Sequence, residues 1–479
     1  MTTHQLAQEV HGALRAGQTV DESAIQELAG RLRGPLILPG QEGYEPARRL
    51  WNGMIDRRPA LIVRPTGVAD VVESVNFARA HDLLLAMRGG GHNVAGLAVC
   101  DGGLMLDLSG LKGIRVDPAA RTAWAQPGVV WGELDRETQL FGLATPGGFV
   151  STTGIAGLTL GGGFGWFSRK HGYTCDNLLA VEIVTADGRY LTASEEEHAD
   201  LFWAVRGGGG NFGVATGFHY RLHPLGPTVV AGLILYPMAQ AEEVLRFYRA
   251  FSEAAPDELG TLASLRLAPA LPILPKELHG APVVGIAVCY TGNIADGEAI
   301  LRPLRDFGRP LLDTIGPKPY TVHQRFLDAS LPPGRQYYWK SEYLPALRED
   351  AINMIIAHAR TITSPLTNVV IFQLGGAMGR MAEDANAAGN RDAAYVLNIA
   401  TQWAEPDEAP RHIEWTRAFW SAMLPFSTGG VYVNFLSEGE GQDRVRAAYR
   451  TNYARLVTVK NKYDPTNLFR VNQNIQPAV

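Results

Sequence analysis

The sequence predicts an α+β protein of two domains, and three observations carry that reading. The chain has 479 residues, more than one hydrophobic core usually organises. The stretch "ALIVRPTGVADVVESVNFARAHDLLLAMRGGG" reads as strand, helix and strand, and short strands separated by turns follow it rather than further βαβ units. Glycine, 53 residues in all, clusters between positions 88 and 213, and from about residue 226 those clusters give way to strands alternating with helices. The expected division is a first domain over 1–225, with 447–479 folding back onto it, and a second over 226–446 built on a mainly antiparallel sheet flanked by helices.

Bulk properties narrow the function classes. With 46% hydrophobic and 19% charged residues and a formal net charge of -5, nothing in the balance recruits nucleic acid or an anionic membrane. Cys100, Cys175 and Cys289 are too few and too scattered for a disulfide framework or a zinc site, so no metal is expected and a reducing compartment is. The start, "MTTHQLAQEV", lacks a basic region followed by an apolar run, and no apolar stretch is long enough to span a bilayer. The expected location is cytoplasmic.

Taken in order, the first fifty residues carry helix-like apolar spacing that "RGPLILPGQ" closes. In the strand–helix–strand unit Val71, Val72, Val75 and Ala78 recur at helical spacing, and the glycine loop lies at the carboxyl end of the second strand, where α/β proteins often bind ligands. Short strands run from 104 to 130, and a helix follows at "WGELDRETQLFGL". The stretch "TPGGFVSTTGIAGLTLGGGFG" mixes glycines with Ser151, Thr152 and Thr153, a donor-rich backbone suited to a pyrophosphate or a polar ring. "LLAVEIVTADGRYLTAS" is a hairpin turning at Asp187-Gly188, and a helix, a glycine loop and an alternating strand complete the unit near 225. The second domain offers strands at "TVVAGLILYPM", "PVVGIAVCYTG", "QYYWKSEYL", "NVVIFQLGG" and "AAYVLNIATQW", with helices near 240–254 and 296–307. The tail, "KNKYDPTNLFRVNQNI", reads as structured.

Gly208, Gly210 and Gly213 satisfy G-x-G-x-x-G, but "VATGFHYRLH" after them alternates like a strand, whereas a nicotinamide fingerprint opens a helix. The other unusual glycine loop is "MRGGGHNVAG", which places His92 directly behind three glycines. A histidine there can be structural, a metal ligand, a general base or an attachment point, and no acidic or histidine neighbour points to metal. Near neutral pH its ring nitrogen is nucleophilic, and the glycines let a cofactor approach closely.

Four motifs in order, "RGGGHNVAG", "STTGIAGLTLGGGFGWFSRKHGYTCDNLL", "LFWAVRGGGGNFGVAT" and "KYDPTNLFRVNQNI", resemble the berberine bridge enzyme-like oxidases of the vanillyl-alcohol oxidase superfamily, whose FAD-binding domain is of the PCMH type. The resemblance implies FAD as cofactor and His92 as its covalent anchor on the flavin 8α-methyl carbon. The second, cysteinyl anchor of some family members aligns with Val150, so a single covalent link is expected and Cys175 is read as a packed thiol. Arg88, Gly89, Gly90, Gly91, Asn93, Gly96, Thr152, Thr153, Gly154 and Gly157 are expected to approach the pyrophosphate and ring, with Asn472 and Asn474 completing the site. The resemblance also sets Thr153 at the oxygen-facing side of the ring, where a modest side chain suits an oxidase that reduces dioxygen to hydrogen peroxide.

For the chemistry, "GGVYVNFLSEG" resembles the family strand near the reactive centre, and alternation would put Tyr432 and Asn434 on one face. Several family oxidases end that motif in tyrosine; Phe435 stands there instead, so either Tyr432 takes the proton or Asn434 positions a substrate that needs no strong base. Gln373, Asn398 and Lys340 are polar residues in apolar or aromatic strands and are read as substrate contacts. The expected activity is removal of a hydride from a small hydroxyl- or amine-bearing metabolite. A dehydrogenase with another electron acceptor, or a flavin-binding protein that has lost activity, are the alternatives.

Overall fold

The computed structural model describes residues 20–270 and 274–478. The reading of the chain start and the part of the first helical stretch before residue 20 lie outside the described residues. The strand–helix–strand unit forms as Leu61–Val63, Val68–Ala80 and Leu85–Arg88. Its two strands are parallel but not neighbours, because Leu104–Asp107 inserts between them and pairs with both. The helix buries Val71, Val75 and Ala78 against this sheet, the face its spacing selects, and leaves Val72 half-buried.

A five-stranded antiparallel sheet follows, in the order Ile114–Asp117, Thr122–Ala125, Val214–Arg221, Leu178–Val184, Tyr190–Ser194. Val214–Arg221 leaves the glycine loop directly as a strand, so that loop presents no helix amino terminus.

The remaining large sheet has eight strands, all its pairings antiparallel, drawn from residues 228 to 403. Alternation sorts its side chains. Val230, Ile234, Leu265, Ile371 and Leu397 point toward the helices Ala241–Glu253, Ile294–Arg305, Glu349–Ala359 and Ala409–Met423. The flanking helices therefore share one face. On the other face Leu262, Ala287, Phe372 and Val396 pack against Phe164, Trp166 and Phe167 of the glycine-rich segment. Burying each such side chain contributes about 1.5–3 kcal/mol, so the two domains share a core rather than merely touch.

The tail folds back onto the first domain. Helix Tyr453–Tyr463 ends at Asp464, whose carboxylate accepts the backbone N–H groups of Leu468 (2.8 Å) and Phe469 (2.9 Å). Lys460 lies fully buried beside it, its ammonium 2.7 Å from Asp464 Oδ2 and donating to the carbonyls of Asn211 (2.8 Å) and Phe469 (3.0 Å). That knot turns the chain so that Leu468, Phe469 and Ile475 enter the first-domain cores. Lys460→Met should leave Asp464 buried without its counter-ion and cost about 3–5 kcal/mol, read as a lower midpoint in denaturant unfolding.

Candidate active site

The first glycine loop begins where strand Leu85–Arg88 ends. Arg88 fixes that end: Nε donates to Asp107 Oδ1 at 2.8 Å, Nη2 to Oδ2, and Nη1 to the carbonyls of Ala47 (2.7 Å) and Arg49 (3.1 Å). Its guanidinium is thus consumed by the fold, away from the cavity described below. Beyond it, Gly90 crosses the second glycine loop at Gly154. A Cβ on Gly90 would lie 2.5 Å from the Gly154 nitrogen, and one on Gly154 equally close to the Gly90 nitrogen. Glycine is required at both positions because two backbones touch there. The crossing also sets the start of helix Ile155–Leu160.

His92 follows the crossing. Its ring stacks on Trp51 (centroids 4.3 Å apart, planes at 20°), and Trp51 stacks in turn on Tyr337 of the second domain (3.7 Å, 18°). Thr152 Oγ1 stands 3.3 Å from His92 Nε2. Burial lowers the His92 pKa from 6.5 to about 4, so the ring is neutral at physiological pH.

His92 faces a cavity of about 310 Å³. Gly89, Gly90, Gly91, Asn93, Val150, Thr153, Gly154 and Gly157 line it from the first domain, Asn211, Asn472 and Gln473 from beside the returning tail, and Asn368, Phe372, Asn398 and Gln402 from the large sheet. Of the other residues expected here, Gly96 serves the turn (φ 70°) with its α-carbon against Ile55, while Thr152 and Asn474 flank the cavity without lining it. Among the described residues the lining contains no Asp, Glu, Lys or Arg, and its ionisable members are His92, Tyr432 and Tyr449. Cys175 is fully buried, as a packed thiol would be.

Val433–Phe435 is a single 3₁₀ turn instead of the expected strand. The turn, unlike a strand, brings Tyr432, Val433, Asn434 and Phe435 all to the cavity wall. Tyr432 Oη accepts from the Gly163 N–H (3.0 Å) and from Asn434 Nδ2 (2.8 Å), and Asn434 Nδ2 also donates to the Leu158 carbonyl (3.1 Å). Burial raises the Tyr432 phenol well above 10, outweighing those two donors, so it stays protonated at neutral pH and offers its hydrogen. A Cβ on Gly161 would fall 2.1 Å from Asn434 Oδ1, so the second loop must be bare there too.

Three polar strand residues divide by face. Asn398 lines the cavity, 3% exposed, its Oδ1 without a hydrogen-bond partner among the described residues. Gln373 points to the helix side, accepting from Thr261 Oγ1 (2.7 Å) and donating to the Ser252 carbonyl. Lys340 does likewise, ion-paired with Glu440 at 2.6 Å and lying 4.9 Å from the Trp420 ring centre. Neither is brought to the cavity. Trp51, Asn368 and Gln402 also belong to the site; Trp51 sits in "RRLWNGMID", a stretch whose single glycine, Gly53, forms no cluster to draw notice.

These residues fit a cofactor with a flat, uncharged ring: bare backbone on two loops, a neutral histidine at one edge, and the carbonyl oxygen of Asn472, without a partner among the described residues. Comparison with known proteins agrees. A family model described as an FAD binding domain matches residues 59–194, and one described as berberine and berberine like matches 431–476. An FAD-linked oxidoreductase of Dictyostelium discoideum is 32% identical, over 95% of this chain and 97% of its own. (R)-6-hydroxynicotine oxidase of Paenarthrobacter nicotinovorans is 31% identical, over 93% and 97%. The crystal structure of 6-hydroxy-D-nicotine oxidase from Arthrobacter nicotinovorans superposes with a TM-score of 0.83 at 28% identity, covering 93% of this chain and 98% of that one.

Two outcomes follow from this geometry. Gly154→Ala should cost about 1–3 kcal/mol by overpacking and lower the flavin-to-protein ratio of the purified protein, measured by absorbance. In flavin-free protein the unfolded chain takes up a proton at His92 near pH 6.5 while the folded chain resists until about 4. Stability therefore falls across that window, by up to roughly 3 kcal/mol, as pH drops. Unfolding midpoints measured from pH 7 to 4 should fall less steeply in His92→Gln than in wild type.

Proposed function

The chain belongs to the berberine bridge enzyme-like family of FAD-linked oxidoreductases, and from that membership we propose an oxidase with one covalent flavin link, through His92. When bound, FAD supplies a two-electron acceptor that takes a hydride from the substrate and is reoxidised by dioxygen, releasing hydrogen peroxide. The observation that carries the reading is a neutral histidine, clamped by Trp51, facing a glycine-walled cavity free of charged side chains. A neutral imidazole keeps a nitrogen lone pair for bond formation. Val150, at the position of the second anchor in doubly linked family members, presents only an alkyl group to the cavity.

Gly89 to Gly91, Gly154, Gly157 and Asn472 would hold the cofactor, with Thr153 beside the ring. Tyr432 and Asn434 act on the substrate side. Asn434 is oriented by the Leu158 carbonyl and by Tyr432, and Tyr432 donates a hydrogen bond rather than accepting a proton, since burial holds its phenol protonated. A hydroxyl group would need a base to take its proton during hydride loss, whereas a neutral amine needs none. Walls without carboxylate or ammonium therefore favour an amine among the small hydroxyl- and amine-bearing candidates, and the hydroxynicotine oxidase likeness supports that choice.

Acid precipitation tests the tether: the wild-type pellet should stay yellow, and His92→Ala should release its colour to the supernatant. A colourless wild-type pellet would remove the covalent link. Stopped-flow mixing of the photoreduced protein with air should reoxidise the flavin and form one peroxide per flavin; slow reoxidation would assign a dehydrogenase instead. Once a reducing amine is found, Tyr432→Phe should slow anaerobic flavin reduction about tenfold, the worth of one hydrogen bond.

A further inference from the structure

On the cavity side of the large sheet, two arginines stand at one corner behind the cavity lining, with no acid among the described residues to neutralise them. Arg266 lies directly across from Asn368 in the strand pairing, and so shares its face. Its Nη1 donates to Ser330 Oγ at 3.3 Å. The Ser330 carbonyl accepts from Gln402 Nε2 at 3.1 Å, and Gln402 Oε1 accepts from Arg335 Nη1 at 3.1 Å. Ser330, Gln402 and Asn368 all line the cavity, so this chain of hydrogen bonds joins both guanidinium groups to its rim.

Neither arginine has a carboxylate within 4.0 Å among the described residues. Asp328, two residues before Ser330, is turned away and accepts from the backbone N–H (2.9 Å) and hydroxyl (2.5 Å) of Ser151. The Arg335 backbone is fixed at the domain junction, where its carbonyl accepts the Gly53 N–H at 2.7 Å. Burial and the neighbouring Arg335 charge together pull Arg266 down to about 10. Two like charges held together with partial desolvation raise the energy of the empty corner, and an anion relieves it. Each guanidinium offers five N–H donors in a planar fork; Arg266 uses two inside the protein and Arg335 one, which leaves a surplus shaped for a carboxylate.

We propose that this corner is a carboxylate-binding subsite and that the oxidised substrate carries a carboxylate, held by Arg266 and Arg335 while its reacting end lies against Tyr432 and Asn434. The proposal rests on the oxidase reading for the second half of that statement and on the corner alone for the first. Along the sheet wall, Phe372 lies four positions beyond Asn368, and its ring lies 5.5 Å from Phe164, itself 4.9 Å from Tyr432. At a rise of ~3.3 Å per residue the Asn368 and Phe372 positions stand about 13 Å apart along that wall, so the corner and the Tyr432–Asn434 end lie toward opposite ends of it.

The test uses 3-phenylpropionate and its neutral isostere 3-phenylpropionamide, titrated into the flavin-loaded protein by flavin absorbance and, independently of flavin, by calorimetry. The acid should bind at least tenfold more tightly than the amide, and added salt should weaken the acid alone. Arg266→Gln and Arg335→Gln should each erase most of that preference, and Arg335→Lys should keep part of it, with melting temperature as the check on folding. Should Arg266→Gln fail to fold, the half-exposed Arg335 variants and the salt dependence still decide. An acid bound no better than the amide, or a preference that survives in the folded glutamine variants, would overturn the subsite. A protein that purifies without flavin and takes up none when FAD is added would sink the oxidase reading, and an acid preference measured on it by calorimetry would leave the subsite standing.

Discussion

The site depends on one backbone contact, the crossing of Gly90 over Gly154. Two loops that belong to different parts of the first domain meet there with no room for a methyl group. Everything functional is placed relative to that point: His92 two residues past it on one strand of the crossing, and the helix Ile155–Leu160 opening directly after it on the other. The contact is held from behind by the buried Arg88–Asp107 pair, which anchors the end of the strand that feeds the first loop. The energetic logic is asymmetric. A glycine costs conformational entropy when ordered, and that cost is met by the ion pair and by the packed sheet beneath, so the loop itself carries no side chain that could occupy the space it frames.

The second constraint is that the cavity belongs to neither domain alone. Trp51 joins them: its ring lies between His92 and Tyr337, its N–H backbone group donates to Gly91, and its indole donates to Leu331. Asn52 adds bonds to Val94 on one side and Tyr337 on the other. The orientation of His92 is thereby tied to the position of the large sheet, and the returning tail closes the third side through the Lys460–Asp464 knot. A displacement of the second domain would turn the histidine as well as open the substrate wall.

How much of this the sequence discloses depends on the range of the physics involved. The strand–helix–strand unit, the Asp187-Gly188 hairpin and the strand after Gly213 follow from local periodicity and turn chemistry, and they stand where the sequence puts them. The glycine and histidine cluster was legible because backbone-lined binding requires bare backbone. Alternation gives Gln336–Leu344 two faces, yet it cannot say which face meets the cavity; Lys340 and Glu342 look toward the helices, Trp339 toward the site. Gln373 fails for the same reason, one residue out of phase with Phe372. The turn at Val433–Phe435 was hidden because the pattern "VYVNF" alternates, and only the tertiary bonds of Asn434 to Leu158 and Tyr432 select the tighter conformation. Trp51 left no local trace at all, since its role exists only through partners some 40 and 286 positions away.

The distribution of charge explains why such a site needs so little machinery. Several charged residues around the cavity are paired off behind it: Arg391 with Asp176, Arg88 with Asp107, Lys340 and Arg444 with Glu440 and Glu342. The walls that remain are aromatic, amide and backbone, so a charge generated or consumed during oxidation would meet no compensating group at the reacting end. That favours loss of a hydride from a donor that stabilises the resulting cation within itself, as a neutral amine does on becoming an iminium. The uncompensated positive charge at the Arg266–Arg335 corner then has a natural place in the same economy. A carboxylate bound there is neutralised by the two guanidinium groups, so the corner orients the substrate from a distance and leaves stabilisation of the developing cation to the donor itself.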